Sequence, residues 1–547
     1  MATLFTGGSV FDGHRHLPGH DLLVDDGVVR GVGPAGGGVR PDQRLVEVVD
    51  LAGGLVAPGF TDAHCHPIQG GLEMLRCDLS EGRTRDDFLT MIAAYAARHD
   101  GPWVLGGGWA MPAFPGGTPT AADLDTVVPD RPAFLPNRDH HGAWVNSRAL
   151  ELAGITAETP DPPDGRIERL PGGTPSGTLH EGAMGLVSRL LPPTPEEDYY
   201  HGLVAGQAYL FALGVTAWQD AIVGAYAGMD DSGPTYLRAV EKGELVADVV
   251  GALWWDRSLG VAQIPDLVRR REALAGPRFR PTSVKIMQDG VLENGTAALG
   301  APYLDRCGHA TDNSGHSFVD AEELQEVVVA LSAEGFQVHV HAIGDRGVRE
   351  ALDAFAAARA AGHDDDLRHH IAHLQLIDPD DVPRFAELGV AANAQALWAC
   401  NEEQMTELTI PFLGPERAAW QYPFGDLHGA GTRLVMGSDW PVTSPDPLAA
   451  IHTAVTRTSY GEEGPAGAEP FLPEQGVDLT TAFAAYTSGS AWVNGRDRTD
   501  GAGVLAPGHA ADLVVLDRDP FAGPPEEIGA ARVASTWVGG RGVFRRP

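Results

Sequence analysis

The chain has 547 residues, 43% hydrophobic and 21% charged, which excludes a disordered polymer and leaves room for more than one folding unit. Lysine plus arginine number 39 against 74 aspartates and glutamates, and the net charge of −35 excludes nucleic acid and an anionic membrane surface as partners, because both need basic surface. The four cysteines are scattered without a CxxC pair, the N-terminus has no signal-like pattern, and no apolar run approaches the roughly 18 residues of a membrane span. The expectation is a soluble, cytoplasmic protein that acts on a small molecule.

Residues 1–57 read as short strands between glycines: LFTGGSVFDG, HDLLVDDGVVRGVG and RLVEVVDLAGGLVAPG. Residues 497–547 read the same way, and 58–496 alternate strand-like with helix-like segments. This order predicts an α/β fold: a (β/α)8 barrel set into a small β-sandwich that the two terminal segments form jointly. In APGFTDAHCHP, residues 57–67, period two puts Asp62, His64 and His66 on one face of a strand that Pro67 ends. Two neutral imidazoles at a strand end can reach one metal ion, although bare HxH pairs also occur as structural or surface residues. Segments 155–200 and 458–475, rich in Pro, Gly and Glu, read as loops or excursions.

Further along, VKIMQDG places Lys285 in an apolar strand-like run, and the chain holds just one other lysine, Lys242. Asp320 and Glu323 form a possible capping box before Leu324, Val327, Val328 and Leu331, one apolar helix face, and Gly335 can stop that helix. FQVHVH follows as a strand with Gln337, His339 and His341 on the inward face; His341, nearest the loop, is the better ligand candidate. RHHIAHLQ offers His369, His370 and His373, and MGSDWPV offers Asp439, which by itself is equally a turn or helix-cap residue.

Spacing organises these candidates. Lys285 to His341 is 56 residues, His341 to His373 is 32, and His373 to Asp439 is 66, about one long, one and two βα units. Residues at the C-terminal ends of barrel strands 4, 5, 6 and 8 would have this spacing, with His64 and His66 on strand 1. The 219 residues from His66 to Lys285 exceed three units, so an insertion over the active-site face is expected within about 70–200.

With these residues in order, the chain resembles the amidohydrolase superfamily and its amidohydrolase family 3 branch, which includes N-substituted formamide deformylases. The resemblance runs from VAPGFTDAHCHP through NRDHHGAWVNSRAL, PSGTLHEGA, LGVTAWQDA, KIMQDGVLENGTAALGAPYLD, VHAIGD, IAHLQ and GSDWPV to GVLAPGHAADLVVLDRDPF, nearly the whole chain. It implies a divalent metal, zinc-like, as one or two ions held by His64, His66, Lys285, His341, His373 and Asp439. Lys285 resembles the lysine that carries a CO2-derived carbamate in relatives. Asp439 resembles the aspartate that handles the proton, while His141 and Glu181 resemble substrate-binding or supporting residues. Asp139-His140-His141 stands where the branch reads Asp-Gly-His, and Ala110 stands where an acid follows GGGW.

The implied reaction is hydrolysis of a non-peptide C–N bond, amide or formamide, by a metal-bound hydroxide, with Asp439 as proton acceptor and donor. Deamination, ester hydrolysis and phosphoester hydrolysis on the same scaffold are alternatives, and a metal-free binding scaffold is a third class. Trp103, Trp109, Trp144, Trp218 and Trp398 are either pocket-lining or packing residues. Relatives of this kind are often dimers, so a homodimer is also implied.

Overall fold

The computed structural model describes residues 2–37, 39, 46–226, 228–363, 366–461 and 469–547. Eight parallel strands follow one another in chain order around a nearly closed barrel. They are β1 (Phe60–Cys65), β2 (Val215–Val223), β3 (Asp248–Trp254), β4 (Phe279–Met287), β5 (Gln337–Ala342), β6 (His370–His373), β7 (Ala391–Ala394) and β8 (Leu434–Met436). Beyond β8 the circle is closed against β1 by backbone bonds, Asp439 N to His64 O at 2.7 Å and His66 N to Trp440 O at 2.7 Å. Gly437 permits this approach: a Cβ there would lie 2.6 Å from the amide nitrogen of His64. The chain is an α/β protein with a TIM barrel.

The unit leading into β5 shows how sequence produces the barrel. Helix Ala321–Ala333 starts at Asp320, whose carboxylate accepts from the amides of Glu322 and Glu323. Leu324, Val327, Val328 and Leu331 are fully buried against the barrel, and Gly335 turns the chain at φ 74°. On β5, Val338 and Val340 join the apolar layer beneath the helices, whereas His339 and His341 face inward.

The terminal segments build two further sheets. One contains Ala2–Thr6, His20–Asp25, Val28–Pro34 and Val46–Asp50. The other joins Ser9–Phe11, His16–Pro18 and Leu55–Pro58 to Leu513–Leu516, Val533–Val538 and Arg541–Arg545. Phe5, Val10, Leu22, Val56, Leu513 and Val515 share one buried cluster drawn from both sheets. Leu55–Pro58 continues through Gly59 directly into β1, where a Cβ would collide with Thr216 at 2.4 Å.

Between β1 and β2 the chain builds a six-stranded sheet from Cys77–Asp78, Val104–Gly107, Ala133–Pro136, Gly142–Val145, Gly165–Arg169 and Pro175–Glu181. Its two faces bury separate clusters: Trp144 lies in one, its neighbours Ala143 and Val145 in the other. Segment 155–200, expected as loop, therefore contains an antiparallel pair of strands and the start of helix Glu196–Ala212. Ile167 and Leu179 face each other in that pair and are buried, a pattern the surrounding Gly, Pro and Glu conceal. Of segment 458–475, residues 462–468 lie outside the described residues, as do Arg44 and Leu45 of the last N-terminal strand expectation, and Pro473–Gln475 form one 3-10 turn.

Candidate metal and active site

Each expected ligand sits at the C-terminal end of a barrel strand. His64 lies near the end of β1 and His66 just beyond it. Lys285 is on β4, His341 on β5, His373 ends β6, and Asp439 follows β8 by three residues. The tightest group is His64, His66 and Asp439, whose ligand atoms all lie within 4.8 Å of one another. Asp439 Oδ1 is 3.0 Å from Nε2 of both His64 and His66, and its Oδ2 is 3.8 Å from His373 Nδ1. His341 stacks beside His373 with ring centroids 4.2 Å apart, and its Nε2 lies 3.5 Å from Asp289. Lys285 is buried opposite His339 in the register of β4 and β5 and lies outside the compact group of three.

The donor set suits a cation. His66 Nδ1 and His373 Nε2 are buried nitrogens without a hydrogen-bond partner, a costly arrangement unless something else meets their lone pairs. Burial, reinforced by the Lys285 charge, lowers His64 to about 3 and His341 well below the ordinary imidazole range. Burial and the neighbouring His341 do the same to His373. Neutral imidazole is the ligating form. Burial also lowers Lys285 to about 8. Burial opposes ionisation of Asp439, but His64 and His66 overcome it and hold the carboxyl well below its usual range.

Two other residues fix this geometry. Asp62 accepts from Ser438 Oγ at 2.6 Å and from the amides of Ser438 and His64 at 3.0 Å, tying β1 to the turn that presents Asp439. His339 Nε2 is 2.9 Å from His64 Nδ1, so the two rings share one proton and His64 is oriented from behind. Asp439 and His373 both have left-handed backbones, φ 60° and 78°, strain of a kind that collects where side-chain direction matters.

The insertion sheet supplies the opposite wall. His141 Nδ1 is 2.9 Å from Glu181 Oε1 and 3.0 Å from Oε2. Burial opposes protonation of His141, but the Glu181 carboxylate prevails and lifts it to about 9. His141, His341, His373 and Asp439 border a cavity of about 440 Å³ together with Glu293 and Trp398.

The model of the amidohydrolase family matches residues 47–544. The chain belongs to the amidohydrolase family. By family it is a hydrolase. Among its relatives, Protein LONG AFTER FAR-RED 3 of Arabidopsis thaliana is 30% identical over 99% of this chain and 91% of its own length. N-substituted formamide deformylase of Arthrobacter pascens is 28% identical, covering 95% and 94%. A solved structure of an uncharacterized metal-dependent hydrolase from Pyrococcus furiosus superposes with a TM-score of 0.68 at 26% identity, over 96% of this chain and 100% of that one.

Within this amidohydrolase-family site, His140 occupies a left-handed backbone position, φ 62°, where the branch pattern has glycine. Its ring contacts Gln69 Nε2 at 3.0 Å and stands 3.4 Å from Glu73. Ala110 packs against the insertion core instead. Of the five tryptophans, Trp398 lines the cavity. Trp109 and Trp144 lie in the insertion core and donate to the carbonyls of Leu135 and Thr120; Trp103 packs against the second cluster and Trp218 inside the main core. His369 faces outward, stacked on Phe355 and accepting from the amide of Val338, and His370 lies one layer below His373.

Sequence reasoning missed Asp289 and Glu293. Asp289 accepts from the amides of Ala298, Ile343 and Gly344, which pins the loops after β4 and β5 beneath His341. Burial raises it to about 7. Its signal was a position four residues beyond Lys285 in a run with no other charge. Glu293 accepts from Thr409 at 3.0 Å and has no spacing signal.

Proposed function

We propose that this amidohydrolase-family hydrolase cleaves a non-peptide C–N bond, an amide or formamide, with one or two zinc ions held by His64, His66, His341, His373, Asp439 and a carbamylated Lys285. The observation that carries this reading is the convergence of His64, His66 and Asp439 within 4.8 Å. A bound divalent ion would supply Lewis acidity, lowering the pKa of a water to about 7 and polarising a carbonyl.

The rest is work for the side chains. Asp439, ionised and bordering the cavity, accepts the proton of the attacking water and returns it to the leaving nitrogen. His141, protonated through Glu181, donates toward the substrate carbonyl from the other wall. The buried amine of Lys285, lowered to about 8, has at neutral pH a larger uncharged fraction than an exposed lysine, and the uncharged amine is the form that adds CO2. The formamide deformylase of Arthrobacter pascens supports the choice of C–N bond, because its name states that chemistry at 28% identity over nearly the whole chain.

The test has two parts. Elemental analysis of the purified protein is expected to give about one or two equivalents of zinc, and markedly less in His66→Ala and Lys285→Ala. A screen of N-formyl and N-acyl amines is then expected to release an amine and an acid. Release of ammonia, alcohol or phosphate from the corresponding substrates, without amide cleavage, would replace the amide reading by deamination, ester or phosphoester hydrolysis. No metal after reconstitution with zinc and bicarbonate would remove the hydrolytic mechanism altogether.

A further inference from the structure

The cavity of about 440 Å³ holds more than the groups that face the metal ligands. Asp139 and Glu293 also line it, with Gln375, Gln404, Trp398, Tyr422 and three aliphatic side chains. Among the described residues no lysine or arginine reaches its wall. His141 is already matched by Glu181 at 2.9 Å, and Asp439 is held between His64 and His66. Asp139 and Glu293 are left without an ion-pair partner among the described residues. Oδ1 of Asp139 accepts from the His141 amide at 2.8 Å, and no donor meets its Oδ2. Glu293 accepts from Thr409 at 3.0 Å and stays partly exposed. Burial and the nearby Asp139 carboxylate push Glu293 up to about 7. Two acids in one shielded space repel each other unless a cation joins them.

Gln375 shows the same want of a donor independently of charge. It is 4% exposed. Gln421 donates its Nε2 to the Ala418 carbonyl, so its Oε1 is the atom that accepts from Gln375 Nε2 at 3.2 Å. This orients the Gln375 amide and leaves its Oε1 unpaired. Neither that oxygen nor Asp139 Oδ2 belongs to the sealed, unpaired atoms of the interior; both keep accessible surface where their residues line the cavity. A protonated amine suits such a wall. It carries three N–H donors and a positive charge, and the rings of Trp398 and Tyr422 attract a cation as well.

We propose that this cavity selects an amide or formamide bearing a second, protonated amine, whose ammonium group is received by Glu293, Asp139 and the Gln375 side-chain oxygen. This rests on the amide-hydrolase reading above and names its substrate class, an acylated or formylated diamine or a related amino amide. Glu293 and Asp139 then decide which substrate is held, while the bond-breaking groups remain those at the strand ends.

The experiment is a kcat/KM series on the zinc-loaded wild-type enzyme. Amides of matched length end in ammonium, methyl or carboxylate, carried on the nitrogen side in one set and on the acyl side in the other, with chains of graded length. At the best length the ammonium compound is expected to exceed the methyl compound by roughly 10–100-fold, the range of a charge-assisted hydrogen bond, with the carboxylate compound poorest. Glu293→Gln, which keeps the shape and removes the charge, is expected to lower the ammonium-to-methyl ratio by roughly tenfold or more. Asp139→Asn, which can still accept from the His141 amide, is expected to lower the same ratio less. Glu293→Lys is expected to reverse the order of the ammonium and carboxylate compounds. The net charge of −35 favours a cation anywhere on the protein, but that share survives in Glu293→Gln and fades with salt. A ratio near one at every length in both wild-type sets overturns the proposal, and so does a ratio that Glu293→Gln leaves intact. If no amide is turned over, the amide reading falls instead, and the same compounds serve as ligands in calorimetry with the zinc-loaded protein. Tighter binding of the ammonium-ended amide than of the methyl-ended one, lost in Glu293→Gln, then upholds the cavity's selectivity, and equal binding overturns it.

Discussion

The barrel strand ends and the insertion sheet face each other across the site, and they deliver side chains by different means. On the barrel side His64, His341 and His373 arrive through the alternation of short parallel strands, each one βα unit or more from the next, and burial keeps them neutral. On the insertion side Glu181 ends one strand and His141 lies just before its antiparallel neighbour, and their pairing keeps one of them charged. On the proposed reading the barrel presents lone pairs to a cation, and the insertion presents a proton to the substrate. Strand geometry is enough for the first; the second needs a private ion pair shielded from water.

Breaking the barrel side has the largest expected effect. Asp439→Ala removes both the proposed proton acceptor and the carboxylate shared by His64 and His66, and kcat/KM is expected to fall by at least the 10²–10⁴-fold typical of general-base removal. Zinc analysis of the same variant separates loss of metal from loss of the base. A fall of less than tenfold would show that Asp439 is not the acceptor.

On the insertion side, Glu181→Gln leaves burial as the first influence on His141, and burial lowers its pKa. In the wild type the protonated ring persists to about pH 9, so activity that depends on it is lost as pH rises through that value. In the variant that limb is expected to move to lower pH, read from a kcat/KM profile. An unmoved limb would assign it to another group.

The third effect is on stability. His140→Gly relieves a left-handed backbone that costs a non-glycine residue about 1–2 kcal/mol, against loss of a contact to Gln69 worth about 0.5–1.5 kcal/mol. The expected net change lies between a fall of about 0.5 and a rise of about 1.5 kcal/mol in unfolding free energy, measured by denaturant titration. A clear fall would mean that the ring, through Gln69 and Glu73, clamps the insertion onto helix Pro67–Leu75. The smallest effect is expected outside both regions. Asp305, Cys307 and His309 also form a group of ligand-type atoms but are exposed, and His309→Ala is expected to leave zinc content and activity unchanged.

Much of the barrel side was legible in the sequence because its determinants are periodic. HxH with bracketing Gly59 and Pro67, the alternation in FQVHVH and the spacing from Lys285 to Asp439 follow from strand pleat and unit length. The insertion was not legible to the same degree. Its strands between 165 and 181 are held by a few buried residues, Ile167 and Leu179 among them, in a segment whose composition reads as loop. Residues that act through others left still less trace. His339 looked like a weaker ligand than His341, and only the 2.9 Å contact with His64 reveals it as the residue that orients a ligand. Asp62 shared the histidines' face, but its bond to Ser438 crosses from the first barrel strand to the last, a distance in sequence no local pattern spans.

The strand bearing the first two ligand candidates is continuous with Leu55–Pro58, and that segment pairs antiparallel with Leu513–Leu516 from the far end of the chain. On a ribosome the two partners emerge far apart in time. At about 5–20 residues per second, Leu55–Pro58 waits from under half a minute to about a minute and a half before Leu513–Leu516 exists to pair with it. Throughout that interval Leu55–Pro58 lacks the strand that covers one of its edges in the folded chain, where Val56 is fully buried. Slowing translation late in the message is therefore expected to lower the yield of zinc-loaded protein even though no residue of the site has changed.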